Sequence, residues 1–275
     1  MLHPLSFKKL PVFLLFYFSV NVSYAQVYNT SVSAATGGTG RAAVQAGDAN
    51  YMNAATLVHL RGRHFYSSFG KDEMALSFSD NTNESTMPAG IAYISEKKDL
   101  VGTEDKLEEH DFSLSLAEFA YKGFSVGVTG HYLEQKLPED NYRQGNADLG
   151  MAFTPNGSWG FGLVVYNVLG AQKSVPEELR KKTTAGAGVN YIYQRLARFR
   201  LDVTSEKELM GGMESYLSRW FILRFGYLND SEKQRQVASA GFGFDGPRFG
   251  VNYAYQGNVK ESGDYRHSVD LQVPF

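Results

Sequence analysis

From His64 to the carboxyl terminus the chain alternates apolar with polar or small residues, and no apolar run here is long enough to cross a membrane as a helix. Phe112, Leu114 and Leu116 alternate with Ser113 and Ser115, and Phe124, Val126 and Val128 with Ser125, Gly127 and Thr129. Phe221, Leu223, Phe225 and Tyr227 alternate with Ile222, Arg224 and Gly226. A period of two puts successive side chains on opposite faces of a strand, so each segment has one apolar and one polar face. The segments fall at about 63–70, 73–80, 87–96, 109–118, 122–135, 143–154, 158–167, 180–193, 197–205, 211–218, 219–228, 235–245, 247–257 and 263–275. Fourteen is an even number, which lets both ends of a closed wall meet on one side of a membrane. The first two segments are short and alternate weakly, which makes twelve the lower count. The expected fold is all-β, a transmembrane antiparallel β-barrel of about fourteen strands.

The last segment carries a second signal. Val269, Leu271, Val273 and the terminal Phe275 lie on one face, against Ser268, Asp270 and Gln272 on the other. This resembles the terminal signal that the barrel-assembly machinery reads in bacterial outer-membrane proteins. Pro274 departs from an ideal closing strand because it has no N–H to donate. At the other terminus, Lys8 and Lys9 precede an apolar run from Leu10 to Phe18, and Ser23-Tyr24-Ala25 offers small residues at a peptidase site. Residues 1–25 are therefore expected to be a signal peptide cleaved after Ala25, directing the chain to the outer membrane of a Gram-negative cell. No cysteine follows that site, which rules out a lipoprotein anchor.

Composition narrows the chemistry. The 275 residues contain no cysteine, so disulfides, thiolate catalysis and cysteine-built zinc sites are excluded. Removing Lys8 and Lys9 with the signal leaves 25 basic against 29 acidic side chains, a balance that does not suggest a nucleic-acid partner. No cofactor or metal is expected. Glu104, Asp105, Glu108 and Glu109 stand among lysines and read as a solvated loop.

If the large apolar residues face lipid, the inward face is rich in glycine, at 127, 150, 160, 162, 186, 188, 226, 241, 243 and 250. Glycine in a strand often marks close approach by another backbone, so the wall is expected to be shaped around something inside it. The inward face also carries Asp148, Arg198, Arg200, Asp202, Arg224, Arg248 and Asp270, expected to form a bracing network of ion pairs. The candidate filler is the segment 26–62, rich in Ala, Gly, Thr and Ser, read as short helical pieces joined by turns. Residues 63–275 are then the barrel. The plug candidates are Gly38, Gly40, Arg41, Asp48 and Asn53. Lys71-Asp72, Asn156-Gly157, Leu217 to Arg219 and Asp245-Gly246-Pro247 read as tight periplasmic turns, and Glu96 to His110, Lys136 to Gly145 and Gly170 to Lys182 as extracellular loops.

The run Asp48-Ala49-Asn50-Tyr51-Met52-Asn53-Ala54-Ala55-Thr56-Leu57 resembles the N-terminal hatch of FadL-like outer-membrane barrels, which include fatty-acid transporters and PorV-type proteins. That family typically closes the run with Asn-Pro-Ala; here Ala54 replaces the proline. Thr184 to Tyr191, Gly212 to Tyr216, Leu223 to Tyr227, Ala240 to Phe244 and Val251 to Tyr255 are similar in order. The resemblance implies a fourteen-stranded plugged barrel. In the transporters of the family, hydrophobic ligands enter from outside, bind in the barrel and leave through a wall opening beside the hatch.

Two functions follow: passive transport of hydrophobic small molecules through a plugged lumen, or a PorV-like scaffold that binds other envelope proteins. An outer-membrane lipid hydrolase is a third class, for which the strand histidine His131 is the inward candidate, with Thr129 rather than a serine beside it on its face. His267 and Ser268 point to opposite faces. No catalytic residue is assigned. Tyr132, Tyr191, Tyr193, Tyr227 and Tyr255 fall near strand ends, where aromatic rings anchor at the lipid headgroups.

Overall fold

The computed structural model describes residues 27–99, 106–261 and 263–275. The expected signal peptide, its cleavage position, Glu104 and Asp105 lie outside the described residues. Fourteen strands follow a short N-terminal segment: β1 (Gly62–Gly70), β2 (Glu73–Asn81), β3 (Ala89–Asp99), β4 (Lys106–Tyr121), β5 (Phe124–Lys136), β6 (Asn141–Phe153), β7 (Trp159–Tyr166), β8 (Thr184–Tyr193), β9 (Ala197–Thr204), β10 (Glu208–Tyr216), β11 (Phe221–Asp230), β12 (Arg235–Asp245), β13 (Gly250–Asn258) and β14 (Tyr265–Pro274). Each pairs antiparallel with its neighbours in sequence, and β1 pairs with β14 to close the barrel. Closure leaves no unpaired edge, which is what lets a sheet sit in lipid.

The closing seam accommodates Pro274. Arg63 and Phe275 exchange both backbone hydrogen bonds, at 3.0 and 2.9 Å. In an antiparallel ladder the next pair, His64 with Pro274, is then a non-hydrogen-bonded one. The proline nitrogen faces away from β1, toward β13, whose pairing with β14 already ends at Gly250 and Gln272. The missing donor costs no ladder bond.

The outer surface is apolar. Phe112, Leu114, Leu149, Leu163, Phe199, Leu201, Phe221, Phe225 and Phe242 are all exposed, as are Val269, Leu271 and Phe275 of the closing strand. On β5 the outward column runs from Phe124 through Val126, Val128 and Gly130 to Tyr132, then turns charged at Glu134. Eight steps of about 3.4 Å, tilted by roughly 40°, give an apolar band about 20 Å tall, close to the height such barrels present to lipid.

Strand parity fixes which connections share an end. The start of β1 and the end of β14 meet, so the β10–β11 and β12–β13 turns lie at the end with the C-terminus. The β1–β2 turn, Lys71-Asp72, lies at the opposite, loop end, contrary to its reading as a periplasmic turn. Much of what the sequence reads as loop is strand. β3 runs to Asp99, β4 starts at Lys106 and β6 at Asn141, because oppositely charged residues pair across these strands above the apolar band. Lys97 meets Glu108 at 2.6 Å, and Lys98 pairs with both Glu96 and Glu109. The β7–β8 connection folds back over the mouth, burying Val175 and Leu179 against Leu107.

Candidate functional site: the plugged lumen

Residues 27–60 run inside the barrel, from the loop end to the end with the C-terminus. They form α1 (Ser31–Ala35), α2 (Ala46–Ala49) and a 3-10 turn (Ala54–His59), almost wholly buried. Thr30 caps α1, its Oγ1 accepting from the Ser33 N–H at 3.2 Å. Gly37 and Gly38 then reverse the chain at φ +75° and +88°, a region that penalises any residue with a Cβ. These helices are too short to hold themselves together in water, so their stability comes from the wall.

The inward glycines are where the wall meets this segment. A Cβ on Gly162 would lie 2.1 Å from the Arg41 carbonyl oxygen, and one on Gly226 2.1 Å from the Gly37 nitrogen. Gly127 faces the Ala54–Ala55 backbone, Gly150 the Asn53 side chain and Gly241 the Ala35 methyl group in the same way. The outward Gly130 and Gly211 face open space.

The plug's two buried charges are both received by β9. Arg41 pairs with Asp202 at 3.2 Å, and the same carboxylate accepts from the backbone N–H groups of Gly40 and Arg41. Two residues away, Arg200 reaches Asp48 at 3.4 Å and Glu214 at 2.6 Å. Glu214, on β10, also pairs with Arg198 and with Arg224 at 2.9 Å, so one carboxylate serves three guanidinium groups. Arg224 further donates to Asn252, and Arg198 to Asn190 and the Val44 carbonyl. Asp48 also accepts from the Thr30 hydroxyl.

Elsewhere the plug is held by single polar side chains. The Ser31 hydroxyl donates to Asp270 and stands 2.8 Å from the hydroxyl of Ser268, and Asp270 also accepts the Ser31 N–H. Asn53 bridges the Arg41 and Met151 carbonyls and accepts from the Ala55 N–H, while Tyr166 donates to Met52. Gly38 lies beside Met210. Arg198, Arg200, Asp202, Arg224 and Asp270 therefore do line the lumen. Arg248 does not: it is exposed in the β12–β13 turn, because the strand starts at Gly250 rather than 247 and the alternation does not reach it. Glu214 is the hub that sequence reasoning missed, although Gly212 and Glu214 carry the same inward period.

At the mouth, His131 sits between two carboxylates, Nδ1 at 3.0 Å from Asp111 and Nε2 at 3.0 Å from Asp148. Both ring nitrogens are occupied, so His131 has no free nitrogen to take a proton from an attacking hydroxyl, and the neighbouring Thr129 bonds Ser115 instead. A cavity of about 70 Å³ opens here among Tyr28, Tyr51, Ile94, Glu96, Asp111 and His131. A second, of about 690 Å³, lies at the C-terminal end, bordered by His59, Leu60, Asn81 and Phe119.

A closed wall, apolar outside and polar inside, around a buried N-terminal segment defines a plugged transmembrane barrel. Solved structures share that architecture over nearly the whole chain. The Ralstonia pickettii toluene transporter TbuX matches with a TM-score of 0.69 at 13% identity, covering 90% of this chain and 98% of that one. The Pseudomonas putida toluene transporter TodX matches at 0.67 with 9% identity, covering 89% and 96%. A Pseudomonas aeruginosa FadL homologue matches at 0.66 with 9% identity, covering 90% and 98%. The fold is that of the FadL-type barrels, as the hatch-like run implies. No protein-family model and no curated protein matches the chain.

Proposed function

We propose that this chain is exported to the outer membrane by a cleaved N-terminal signal and there moves hydrophobic small molecules passively through its plugged lumen. The observation that carries this reading is a closed fourteen-stranded barrel with a buried N-terminal segment in its lumen, in a fold shared with proteins described as toluene transporters. Lipid contacts the outer band, and the terminal strand with Val269, Leu271, Val273 and Phe275 is the segment offered to the barrel-assembly machinery. The function is not enzymatic, in keeping with the doubly occupied His131.

One observation favours a scaffold that binds another envelope protein. The mouth cavity of about 70 Å³ is about half of the ~150 Å³ that holds benzene in an apolar protein cavity. Initial uptake of radiolabelled toluene and of a labelled fatty acid should be compared in cells with and without the chain in their outer membrane. Faster toluene uptake with the chain present is expected. No change for either ligand, together with co-purification of an envelope protein, would replace transport with the scaffold reading.

A further inference from the structure

The rim at the C-terminal end carries unopposed positive charge on one side only. By strand parity the β8–β9, β10–β11 and β12–β13 turns stand there side by side, two strands or roughly 10 Å apart. Each presents one exposed arginine with an exposed apolar side chain near it: Arg195 with Leu196, Arg219 with Leu217, and Arg248 with Phe249. Backbone hydrogen bonds fix the turns to one another, from the Tyr216 N–H to the Leu196 carbonyl at 2.9 Å and from the Asp245 N–H to the Trp220 carbonyl at 2.8 Å. The remaining turns at this end differ. Lys122, between β4 and β5, has Glu84 and Glu118 on its side of the rim, and Thr154 to Ser158, between β6 and β7, carry no charge.

These three arginines lack the partners that cations have at the opposite end, where Lys97, Lys98, Lys106, Arg143, Arg235 and Arg266 all pair with carboxylates. Among the described residues no carboxylate pairs with Arg195, Arg219 or Arg248, the nearby Asp245 included. The backbone is also strained to present one of them. Both central residues of the two-residue β8–β9 turn are left-handed, Gln194 at φ +46° and Arg195 at φ +58°, where asparagine and glycine are the usual choices. In the next turn the Arg219 guanidinium lies 4.7 Å over the Trp220 ring. That ring stands against Phe244, which packs on Phe221 and Phe249. Phe221 begins the outward column of β11, so the cations stand at the edge of the apolar band.

We infer that the rim from the β8–β9 turn to the β12–β13 turn is a binding surface for anionic phospholipid headgroups of the leaflet at that end. Arg195, Arg219 and Arg248 reach the phosphates, and Leu196, Leu217, Trp220 and Phe249 lie among the acyl chains. A guanidinium bonds phosphate oxygens in pairs, and its aliphatic stem follows the apolar surface while the head stays at the boundary. Lipid is the occupant because each cation is joined to an exposed apolar side chain continuous with the lipid-facing wall; a soluble anion has no use for those neighbours. The rim does not depend on cargo: it needs only that the barrel spans a bilayer.

The chain has two tryptophans, so Trp159→Phe leaves Trp220, in the middle turn, as the sole reporter. That protein is reconstituted in phosphatidylcholine vesicles containing either brominated phosphatidylglycerol or brominated phosphatidylcholine, and quenching of Trp220 gives the relative affinity of the two lipids. Phosphatidylglycerol should be preferred about fivefold or more, since one arginine near an anionic surface is worth about fivefold. The preference should fall toward one in 1 M salt and in the triple variant Arg195→Gln, Arg219→Gln, Arg248→Gln, and should survive the matching lysine triple. Comparing two lipids on one protein cancels any change that Arg219→Gln makes to the Trp220 emission. Heat-modifiable migration establishes that each variant is a folded barrel. Equal quenching by both lipids, or a preference the glutamine variant retains, overturns the assignment. Loss of the preference in millimolar inorganic phosphate, but not in chloride of equal ionic strength, overturns it in favour of a free-phosphate site. Failed toluene uptake in cells beside an intact lipid preference would reject transport and leave the rim standing.

Discussion

Glu214 concentrates more of the lumen's electrostatics than any other side chain described, since Arg198, Arg200 and Arg224 all converge on it. Removing one partner from a buried charge network leaves the others desolvated and uncompensated, at a cost of about 3–5 kcal/mol. Glu214→Ala should therefore lower the urea midpoint of the refolded barrel strongly and Glu214→Gln less, because the amide keeps an acceptor for one guanidinium; equal, small losses would mean the arginines find other partners.

Among the elements, the strands were largely legible in the sequence and the plug was legible only in part. Alternation locates β5, β9 and β12 to within a residue or two, because one face must meet lipid and the other the lumen. It fails at the mouth, where strands continue above the lipid with cross-strand ion pairs in place of an apolar face, and at Arg248, where a turn interrupts the period. The inward glycines announce that something is packed against the wall without saying what touches them. Partnerships such as Arg41 with Asp202, or Ser31 with Asp270, join residues more than 150 positions apart and have no local sequence signature. The glycine contacts give a prediction at this scale. Gly162→Val must displace the Arg41 backbone and should unseat the plug, seen as new protease cleavage between residues 27 and 60, whereas Gly211→Val, facing open space, should be indistinguishable from wild type. Equal protease resistance in both variants would contradict the account of why these glycines are there.

As a whole the molecule is a wall, a plug and two short rims. The wall supplies a lipid-compatible surface, and the N-terminal segment occupies the lumen, held to β9 by ion pairs and to β5, β6 and β14 by single hydrogen bonds. A sealed lumen is what the transport and scaffold readings share. It is tested most directly by single-channel recording in planar bilayers of the refolded protein beside a variant lacking residues 26–61. The wild type should be silent and the deletion variant should give large, steady conductance, once that variant is seen to migrate as a folded barrel. A wild type that conducts as much as the folded deletion variant would contradict it.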